Sequence, residues 1–425
     1  MTPEIKQRIE QIQNGIVPKG YKQTPFGIYP ANWVVGKLGD YIEEYSVLSN
    51  EIETYPVYSS SRKGLLLQSQ YFDNREAVKT NLGYKMVPSG YVTYRHMSDD
   101  DIFYFNRNTT GKTILVSSEY PVFTNSEYGC FDYLITLLNN TSRFRYFCRT
   151  QKMGGTRTRL YFKRLCQYRT VFPHITEQLK ISEILNTQDK VIELTEKRIE
   201  QLKQIKKYYL QNMFPKHGET VPKIRFKGFT DAWEQRKLSE IVSFSKGMGY
   251  SKADLKECGT PIILYGRLYT KYETVISSID TFVDVREGSV YSCGGEIIVP
   301  ASGESAEEIA IASVVEKPGV LLGGDLNVII PSLNFDSAFL AINISFGMLH
   351  RDIAKLAQGK SVVHLHNSEL KKIKLLYPNY EEQVKISSYF RCIDNNINLH
   401  QRKLEEEKQK KKSLAQLLLS GIVRV

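Results

Sequence analysis

The sequence predicts an α+β protein with two β-rich domains, each followed by a long helix, and an internal repeat that relates the two halves. Apolar side chains recur at steps of three and four over residues 173–214, the spacing of a helical coiled-coil seam. The stretch that begins at Pro378 aligns with this segment without a gap, at a constant offset of 205 residues. The chain is therefore a tandem duplication of one unit.

Motifs at the two ends of each half support the duplication. The Glu-Gln pair at 177–178 aligns with the pair at 382–383, and the W-x-x-x-K-L element at Trp33 recurs at Trp233. A helix with such a sustained stripe buries it against partner helices. The residues expected in this partner-helix seam are Ile181, Leu185, Ile192, Ile199, Leu202, Ile386, Phe390, Ile397 and Leu404.

Changes in composition divide the chain into five segments. Short runs rich in β-branched and aromatic residues, separated by Gly, Asn, Asp and Ser, predict strands at 102–105, 113–116, 261–264 and 296–299, and an apolar run predicts a helix at 338–349. The predicted segments are a docking helix and lead-in at 1–24, a first β-rich domain at 25–172, a central helix at 173–214, a second β-rich domain at 215–377 and a C-terminal helix at 378–425.

The composition indicates a partner with negative charge. The 425 residues carry a net charge of +11, and 11% of them are aromatic, which suits nucleic acid or an acidic protein. The six cysteines have no C-x-x-C spacing, so neither zinc nor a disulfide framework is expected. With no apolar run of membrane-spanning length and no signal-peptide pattern, we expect a cytoplasmic chain without membrane contact.

Enzymatic signatures are weak in this sequence. The fragments TGKT at 110–113 and QGKS at 358–361 lack the earlier glycine of a phosphate-binding loop, where Asn106 and Ala354 stand instead. A methyltransferase acting on DNA amines needs a [DN]-P-P-[YF] signature, and the nearest fragment, at 377–380, does not have it. No catalytic residue, metal ligand or bound cofactor is therefore expected on this chain.

Binding is the chemistry that remains. Arginines alternate with aromatic residues over 143–164, and Arg and Lys suit both phosphates and the O6/N7 edge of guanine. Arg157 and Arg159 are expected to contribute mainly phosphate affinity, although a solvated basic surface is the plain alternative for every candidate. The candidate DNA-binding residues are Arg62, Lys63, Arg95, His96, Lys112, Arg143, Arg145, Arg157 and Arg159 in the first domain, and Arg267, Tyr269, Lys271, Lys360 and His364 in the second.

The paired P-x-x-x-E-Q-x-K-I helices and W-x-x-x-K-L openings resemble the DNA-specificity subunit of type I restriction–modification systems, over essentially the whole chain. The resemblance implies two target-recognition domains, each reading half of a bipartite double-stranded DNA site. It also implies two antiparallel helices that set the spacer and bind methyltransferase subunits, of which two are expected. S-adenosylmethionine would then sit on those subunits, and ATP on the restriction (translocase) subunit.

Two other classes of protein stay open from the residues alone. A coiled-coil scaffold with incidental basic charge would bind DNA without preference among sequences. A fragment of a fused methyltransferase–specificity enzyme would transfer methyl groups by itself. The recognised bases and the spacer length cannot be read from the variable domains.

Overall fold

The computed structural model describes residues 2–68, 83–152, 156–357 and 362–425. The fold divides into two compact units, of which the first comprises residues 1–194 and 404–425 and the second residues 195–403. Each unit contains one β-rich domain together with part of both long helices. The predicted DNA contact Lys360 and the QGKS fragment lie outside the described residues.

The first unit is mainly short strands, with helices that pack beside them. One turn of 3-10 helix covers Leu38–Asp40. The other elements are α1 (Pro3–Gln13), β1 (Tyr21–Thr24), β2 (Gly27–Pro30), β3 (Val34–Lys37), β4 (Ile42–Glu44), β5 (Leu48–Ser49), β6 (Tyr58–Ser61), β7 (Gly64–Leu67), β8 (Tyr84–Val87), β9 (Val92–Thr93), β10 (Met97–Ser98), β11 (Asn106–Arg107), β12 (Ile114–Ser117), β13 (Val122–Asn125), α2 (Phe131–Asn140), α3 (Ser142–Arg149), β14 (Thr158–Arg159), α4 (Phe162–Leu165) and β15 (Arg169–Phe172).

Helix α5 (Ile175–Asn212) begins in the first unit and ends in the second. A 3-10 turn covers Lys252–Asp254. The remaining elements are β16 (Glu234–Lys237), α6 (Leu238–Ile241), β17 (Val242–Lys246), β18 (Thr260–Ile263), α7 (Gly266–Thr270), β19 (Val275–Ile276), β20 (Phe282–Val283), β21 (Glu296–Pro300), β22 (Ser302–Gly303), α8 (Ala306–Ile309), β23 (Ser313–Val315), β24 (Leu321–Leu322), β25 (Leu326–Pro331), α9 (Ser337–Phe346), α10 (Met348–Leu356), β26 (Val363–His364), α11 (Asn367–Leu370), β27 (Lys374–Tyr377) and α12 (Tyr380–Leu419).

The two β-rich domains share one scaffold although their sequences barely match. The first contains an antiparallel sheet in the order β11-β9-β13-β4, and the second has β23-β21-β25-β17 in the same order with β19 added beside β23. In both domains the opening strand pairs with the closing one, β3 with β15 and β16 with β27. The duplication predicted from the helices therefore extends to the β-rich domains.

The Glu-Gln pair at the start of each long helix connects that helix to its domain. Gln178 donates to the carbonyl of Pro173 (3.0 Å) and accepts from the backbone N–H of Cys130 (2.9 Å), which precedes α2. Gln383 donates in the same way to the proline before its own helix and accepts from the N–H of Asp336 (3.0 Å), which precedes α9. Each glutamine thus satisfies a donor at the start of a domain helix.

The glutamates of the same motif are buried and paired with arginines. Glu177 accepts from Arg424 (2.7 and 3.1 Å) and from the indole N–H of Trp33 (3.0 Å). Glu382 accepts two hydrogen bonds of 2.7 Å from Arg225. In each unit the arginine belongs to the segment that follows a long helix. Both of these segments are therefore held by equivalent Glu–Arg ion pairs.

Within each unit the two long helices run antiparallel. Lys411 pairs with Asp189 (2.5 Å) in the first unit, and Lys206 pairs with Asp394 (2.6 Å) in the second. Ile192 and Leu404 are half-buried. The predicted seam residues that are buried are Ile181, Leu185, Ile199, Leu202, Ile386, Phe390 and Ile397.

Part of the seam serves the domains as well as the helix pair. Ile181 and Leu185 belong to the core of the first unit, which also contains Trp33, and Ile386 and Phe390 belong to the core of the second. The stripe at the start of each helix therefore anchors a domain. Helix α1 forms as predicted, and Arg8 on it donates to the carbonyl beyond the end of α12.

Two local predictions need correction. Residues 102–105 form no strand. Phe103 and Phe105 are buried in the core, and the strand begins at Asn106. The run at 338–349 is two helices separated at Gly347, where a side chain would meet the Asn343 amide oxygen at 2.4 Å. No helix in the described part of the chain is long and apolar enough to cross a membrane.

Candidate nucleic-acid interface

A small β-ribbon occurs at the same place in both domains. In the first domain β14 pairs with β10, so that Arg159 lies opposite Met97. In the second domain β26 pairs with β22, and His364 lies opposite Ser302. The residues correspond at the offset of 205. Two predicted DNA-binding residues, Arg159 and His364, therefore occupy equivalent positions on an equivalent element.

The first-domain ribbon borders an open cleft of about 840 Å³. Arg157, Arg159 and Arg164 line it together with Tyr161, whose side chain is about half exposed. One acidic residue, Asp99, also lines the cleft. Three arginines and an exposed ring match what a nucleic-acid backbone and bases require. The ribbon thus brings several predicted contacts of the segment 143–164 together.

His96 lies beneath this surface. Its side chain is 3% exposed, and its ring stacks on that of Tyr161 with centroids 5.4 Å apart. Burial lowers the pKa of His96, and the nearby arginines Arg159 and Arg95 lower it further against an opposing effect of Glu119. A buried neutral imidazole supports the tyrosine ring and has no free edge for a base. The position predicted for base reading is therefore a supporting one in this conformation.

Helix α3 explains the alternation of arginine with aromatic residues. Phe144 and Cys148 are buried on its inner face, whereas Arg145 is exposed on the outer face. Arg143 is half-buried, donates to the carbonyl of Phe26 and lies over that ring, with its guanidinium carbon 5.0 Å from the centroid. The pattern is thus that of an amphipathic helix. Arg143 stabilises a contact within the domain.

The remaining candidates of the first domain are exposed. Lys63 lies in the turn between β6 and β7, and Arg95 follows β9. Lys112 belongs to the TGKT turn, which the buried Asn108 closes by donating to the carbonyls of Val87 and Lys112 (both 2.8 Å). That turn has the hydrogen bonding of an ordinary loop. Lys112 is therefore a candidate for contact with a DNA phosphate only.

The second domain contains a buried arginine where a DNA contact was predicted. Arg267 is 9% exposed and donates to Asp280, to Glu273 (2.8 Å) and to the carbonyl of Ser278 (2.9 Å). Hydrogen bonds from Lys271 and then Arg267 lower the pKa of Asp280 to about 2. Arg267 and Lys271 both pair with Asp280, and the buried Arg267 is not accessible to a base.

Around the second ribbon the chemistry is different. Tyr269 donates to the carbonyl of Ser302 (2.9 Å), and burial raises its pKa. His364 is exposed, lies 3.3 Å from the Ser302 hydroxyl through Nδ1, and stacks with His366 at 6.3 Å between centroids. Neutral hydrogen-bonding groups thus replace the arginines of the first ribbon.

The sequence gives a matching contrast in charge. Residues 25–172 contain 18 Lys and Arg against 13 Asp and Glu, whereas residues 215–377 contain 19 against 19. An open cavity of about 920 Å³ beside α7, lined by Tyr250, Leu255 and Tyr265, also distinguishes the second domain and had no signature in the sequence. No group of three or more His, Cys, Asp or Glu among the described residues could hold a metal ion.

Comparison with known protein families identifies the class. The family model described as "Type I restriction modification DNA specificity domain" matches residues 30–204 and 230–409, which is most of the chain and covers both halves. The chain therefore belongs to this family. It is a specificity subunit of a type I restriction–modification system, with two repeated recognition domains.

Individual relatives extend over nearly the full length. The type I restriction enzyme MjaVIII specificity subunit of Methanocaldococcus jannaschii is 22% identical, over 96% of this chain and 98% of its own. A solved type I S subunit from M. genitalium matches with a TM-score of 0.55 at 14% identity, over 91% of this chain and 96% of that one. A chain from a study of type I complex assembly and conformational transition gives 0.53 at 13% identity, over 93% and 99%. These structural likenesses show a shared fold.

Proposed function

We propose that this subunit is non-catalytic and binds one half of a bipartite DNA target with each β-ribbon. The observation that carries the proposal is the duplicated ribbon with different side chains, Met97 and Arg159 in one domain and Ser302 and His364 in the other. A two-stranded ribbon fits the major groove of B-DNA, where each base pair presents its own pattern of donors and acceptors. The same ribbon with different side chains would read different half-sites.

Charge supports a division of labour between the two domains. The first domain has the excess of cations, so it should supply most of the phosphate contacts. The second ribbon presents His364 and the Ser302 hydroxyl, which suit hydrogen bonds to base edges. Salt should therefore weaken binding mainly through the first domain.

The test of the second ribbon is His364→Ala in the chain assembled with its methyltransferase partner. Methylated sites should lose preference at a position in one half-site and keep the other half unchanged. His217→Ala, an exposed histidine outside both ribbons, is the matched control and should alter neither half. If His364→Ala leaves every base preference intact, the second ribbon does not read the target.

The long helices offer equivalent surfaces for partner subunits. Leu194 is 66% exposed, and Leu399, which lies 205 residues later, is 63% exposed. Exposed leucines at duplicated helix positions suit two copies of one partner, because an apolar contact favours binding by removing surface from water. We infer that two methyltransferase subunits bind, one at each leucine.

Native mass spectrometry of the assembled complex tests this stoichiometry. Leu194→Glu and Leu399→Glu should each remove one methyltransferase subunit, and the double variant should remove both. Leu333→Glu, at a fully exposed leucine in a loop, is the control and should keep both subunits. Retention of two subunits by the double variant would contradict the assignment.

A non-catalytic subunit leaves the methyl transfer and the cofactors to its partner subunits. S-adenosylmethionine is expected on the methyltransferase subunits and ATP on a translocating restriction subunit, with the complex acting on DNA in the cytoplasm. Incubation of the purified chain with DNA and a labelled methyl donor should give no labelled product, and addition of the methyltransferase subunit should give sequence-specific labelling. Turnover by the chain alone would contradict the non-catalytic role.

A further inference from the structure

Three consecutive aspartates, residues 99–101, follow strand β10, and Asp99 lines the basic first-domain cleft. Carboxylates near phosphates reduce affinity for DNA, because like charges repel. Each of these side chains accepts a hydrogen bond from a different residue of the site. Asp99 accepts from Nε of Arg157 (2.7 Å), Asp100 accepts from Arg62, and Asp101 accepts from Thr158.

The loop that carries the aspartates is itself held in place. Asp100 also accepts from the Ser98 hydroxyl (2.8 Å), and the backbone N–H of Ile102 donates to the same hydroxyl (3.1 Å). Asp101 has a left-handed backbone (φ +62°), a conformation that few residues other than glycine adopt and that Asp tolerates better than most. The hydrogen bond from Arg62 lowers the pKa of Asp100 to about 2. The carboxylate of Asp100 is therefore held in place and ionised near neutral pH.

The partners of the aspartates belong to the site already described. Thr158 is fully buried in β14, and Arg157 and Arg159 flank it in the sequence. Arg157, which precedes the strand, and Arg159 both line the cleft, whereas Thr158 between them is buried. Arg159 forms no ion pair with any carboxylate among the described residues. Arg157 is thus held by a carboxylate, whereas no carboxylate in the described part of the chain holds Arg159.

Arg62 is restrained in a similar way from the neighbouring hairpin. Its guanidinium is held by Asp100 and lies over the ring of Tyr104, with the guanidinium carbon 5.9 Å from the centroid. It follows β6, whose Ser60 and Ser61 accept hydrogen bonds from the amide of Asn106 (2.8 and 2.9 Å). The hairpin that carries Arg62 is therefore tied to the strand that follows the aspartate loop.

We propose that Asp99 and Asp100 are positioning residues that hold Arg157 and Arg62 ready to read guanine, while Arg159 contributes phosphate affinity. A restrained guanidinium loses less conformational freedom when it binds, and its remaining N–H groups match O6 and N7 of guanine. An arginine without a carboxylate partner keeps its full positive charge for a phosphate. This assignment rests on the proposed DNA-binding function of the first domain, and it separates Arg157 from Arg159, which the sequence treated alike.

The proposal predicts opposite changes in affinity and in specificity. Loss of an acidic charge beside DNA should leave binding to non-specific DNA unchanged or strengthen it. Loss of a positioning residue should relax the preference for one guanine. A bidentate arginine–guanine contact discriminates against other bases by roughly 5- to 150-fold, so we expect a loss of at least about fivefold at one position.

The experiment uses the chain assembled with its methyltransferase partner and a library of DNA sites. Asp99→Asn and Arg157→Lys should relax the same guanine, because one removes the orienting charge and the other keeps the cation but loses the planar group. Asp100→Asn and Arg62→Lys should relax a second guanine. Asp132→Asn is the matched control, since Asp132 pairs with Arg107 (2.9 Å) elsewhere in the domain. Thermal unfolding of each variant, compared with the parent, separates a base-reading effect from a folding defect.

The outcomes distinguish the inference from the proposed function. Unchanged base preferences in Asp99→Asn, or an equal relaxation in the Asp132→Asn control, would overturn the positioning role. Relaxation at a base other than guanine would overturn it as well. Arg159→Ala should weaken binding to all sequences and reduce the salt dependence. If Arg159→Ala and Arg157→Ala both bind DNA as the parent does, the first ribbon is not a DNA interface and the proposed function fails there.

Discussion

The carboxylate of Glu177 gives the sharpest prediction about stability. Its side chain is 8% exposed, and Arg424, the penultimate residue of the chain, supplies two of its hydrogen bonds. Arg424→Met keeps the apolar stem of the arginine and removes the guanidinium. The carboxylate then retains the Trp33 indole N–H as a donor but loses its compensating charge.

Removal of one partner of a buried ion pair costs about 3–5 kcal/mol, because a charge remains in a poorly solvated place. Arg424 is itself 35% exposed, so water can partly replace the interaction of the guanidinium with the carboxylate. We therefore expect a cost at the lower end of this range, about 3 kcal/mol. For a unit of this size that corresponds to a fall of roughly 6–12 °C in the unfolding temperature. The effect should be confined to the first unit.

The chain has only two tryptophans, one in each unit, and this makes the assay selective. Trp233→Phe leaves Trp33 as the fluorescent reporter of the first unit during thermal unfolding. In that background Arg424→Met should lower the transition, and the added change Glu177→Gln should restore part of it by removing the buried charge.

Arg225→Met provides the matched comparison in the second unit, because the Arg225 and Glu382 side chains are 11% and 1% exposed. It should cost more than Arg424→Met, and Trp233 in a Trp33→Phe background should report it. The reasoning would be refuted if Arg424→Met changed the Trp33 transition by less than about 2 °C. An equal effect of Arg424→Met on both units would also refute it.

Three further predictions concern the helices and the second domain. Lys206→Met should cost about 1 kcal/mol and Lys411→Met about 0.3 kcal/mol in urea unfolding, because the first ion pair is the less exposed of the two. The hydrogen bond from Lys271 lowers the pKa of Asp280 to about 2, so its stabilisation is present above about pH 4 and is lost as the pH falls towards 2. Asp280→Asn should therefore flatten acid unfolding between these values, by no more than about 0.5 kcal/mol at this exposed site. A heptad inserted after residue 200 of α5 and at the equivalent point of α12 adds about 10.5 Å of helix. Methylated sites of an active variant should keep both half-sites and gain roughly three base pairs of spacer, whereas an unchanged spacer would contradict the role of the helices in setting it.

Local patterns were visible in the sequence, whereas contacts between distant residues were not. The helices were predictable because a stripe with steps of three and four is a local signal, and the offset of 205 located Arg159 and His364 at matching places. The shared sheet order of the two domains was not predictable. It depends on pairings between distant residues, such as Val122 with Thr93, that give the two domains no common sequence pattern. The burial of Arg267 depends on Asp280, a partner thirteen residues away.

The acidic residues of the site were missed for a different reason. Sequence patterns typical of DNA contacts consist of cations and aromatic rings, so residues 99–101 carry no such signal. Their role becomes visible only when Arg157 and Arg62, from distant parts of the chain, are placed beside them. Phe144 likewise belongs to the alternation of arginine with aromatic residues over 143–164, and composition alone does not distinguish a short helix such as α3 from an exposed loop.

The most direct test of the central claim exchanges residues 25–172 for the same domain of a relative that modifies a different target, leaving both long helices unchanged. Methylated sites of the hybrid, assembled with the methyltransferase subunit, are then mapped across a genome. Independent reading by two domains on a duplicated frame predicts that one half-site becomes that of the relative, while the other half and the spacer stay as in the parent. A change in both half-sites of an active hybrid would contradict the account.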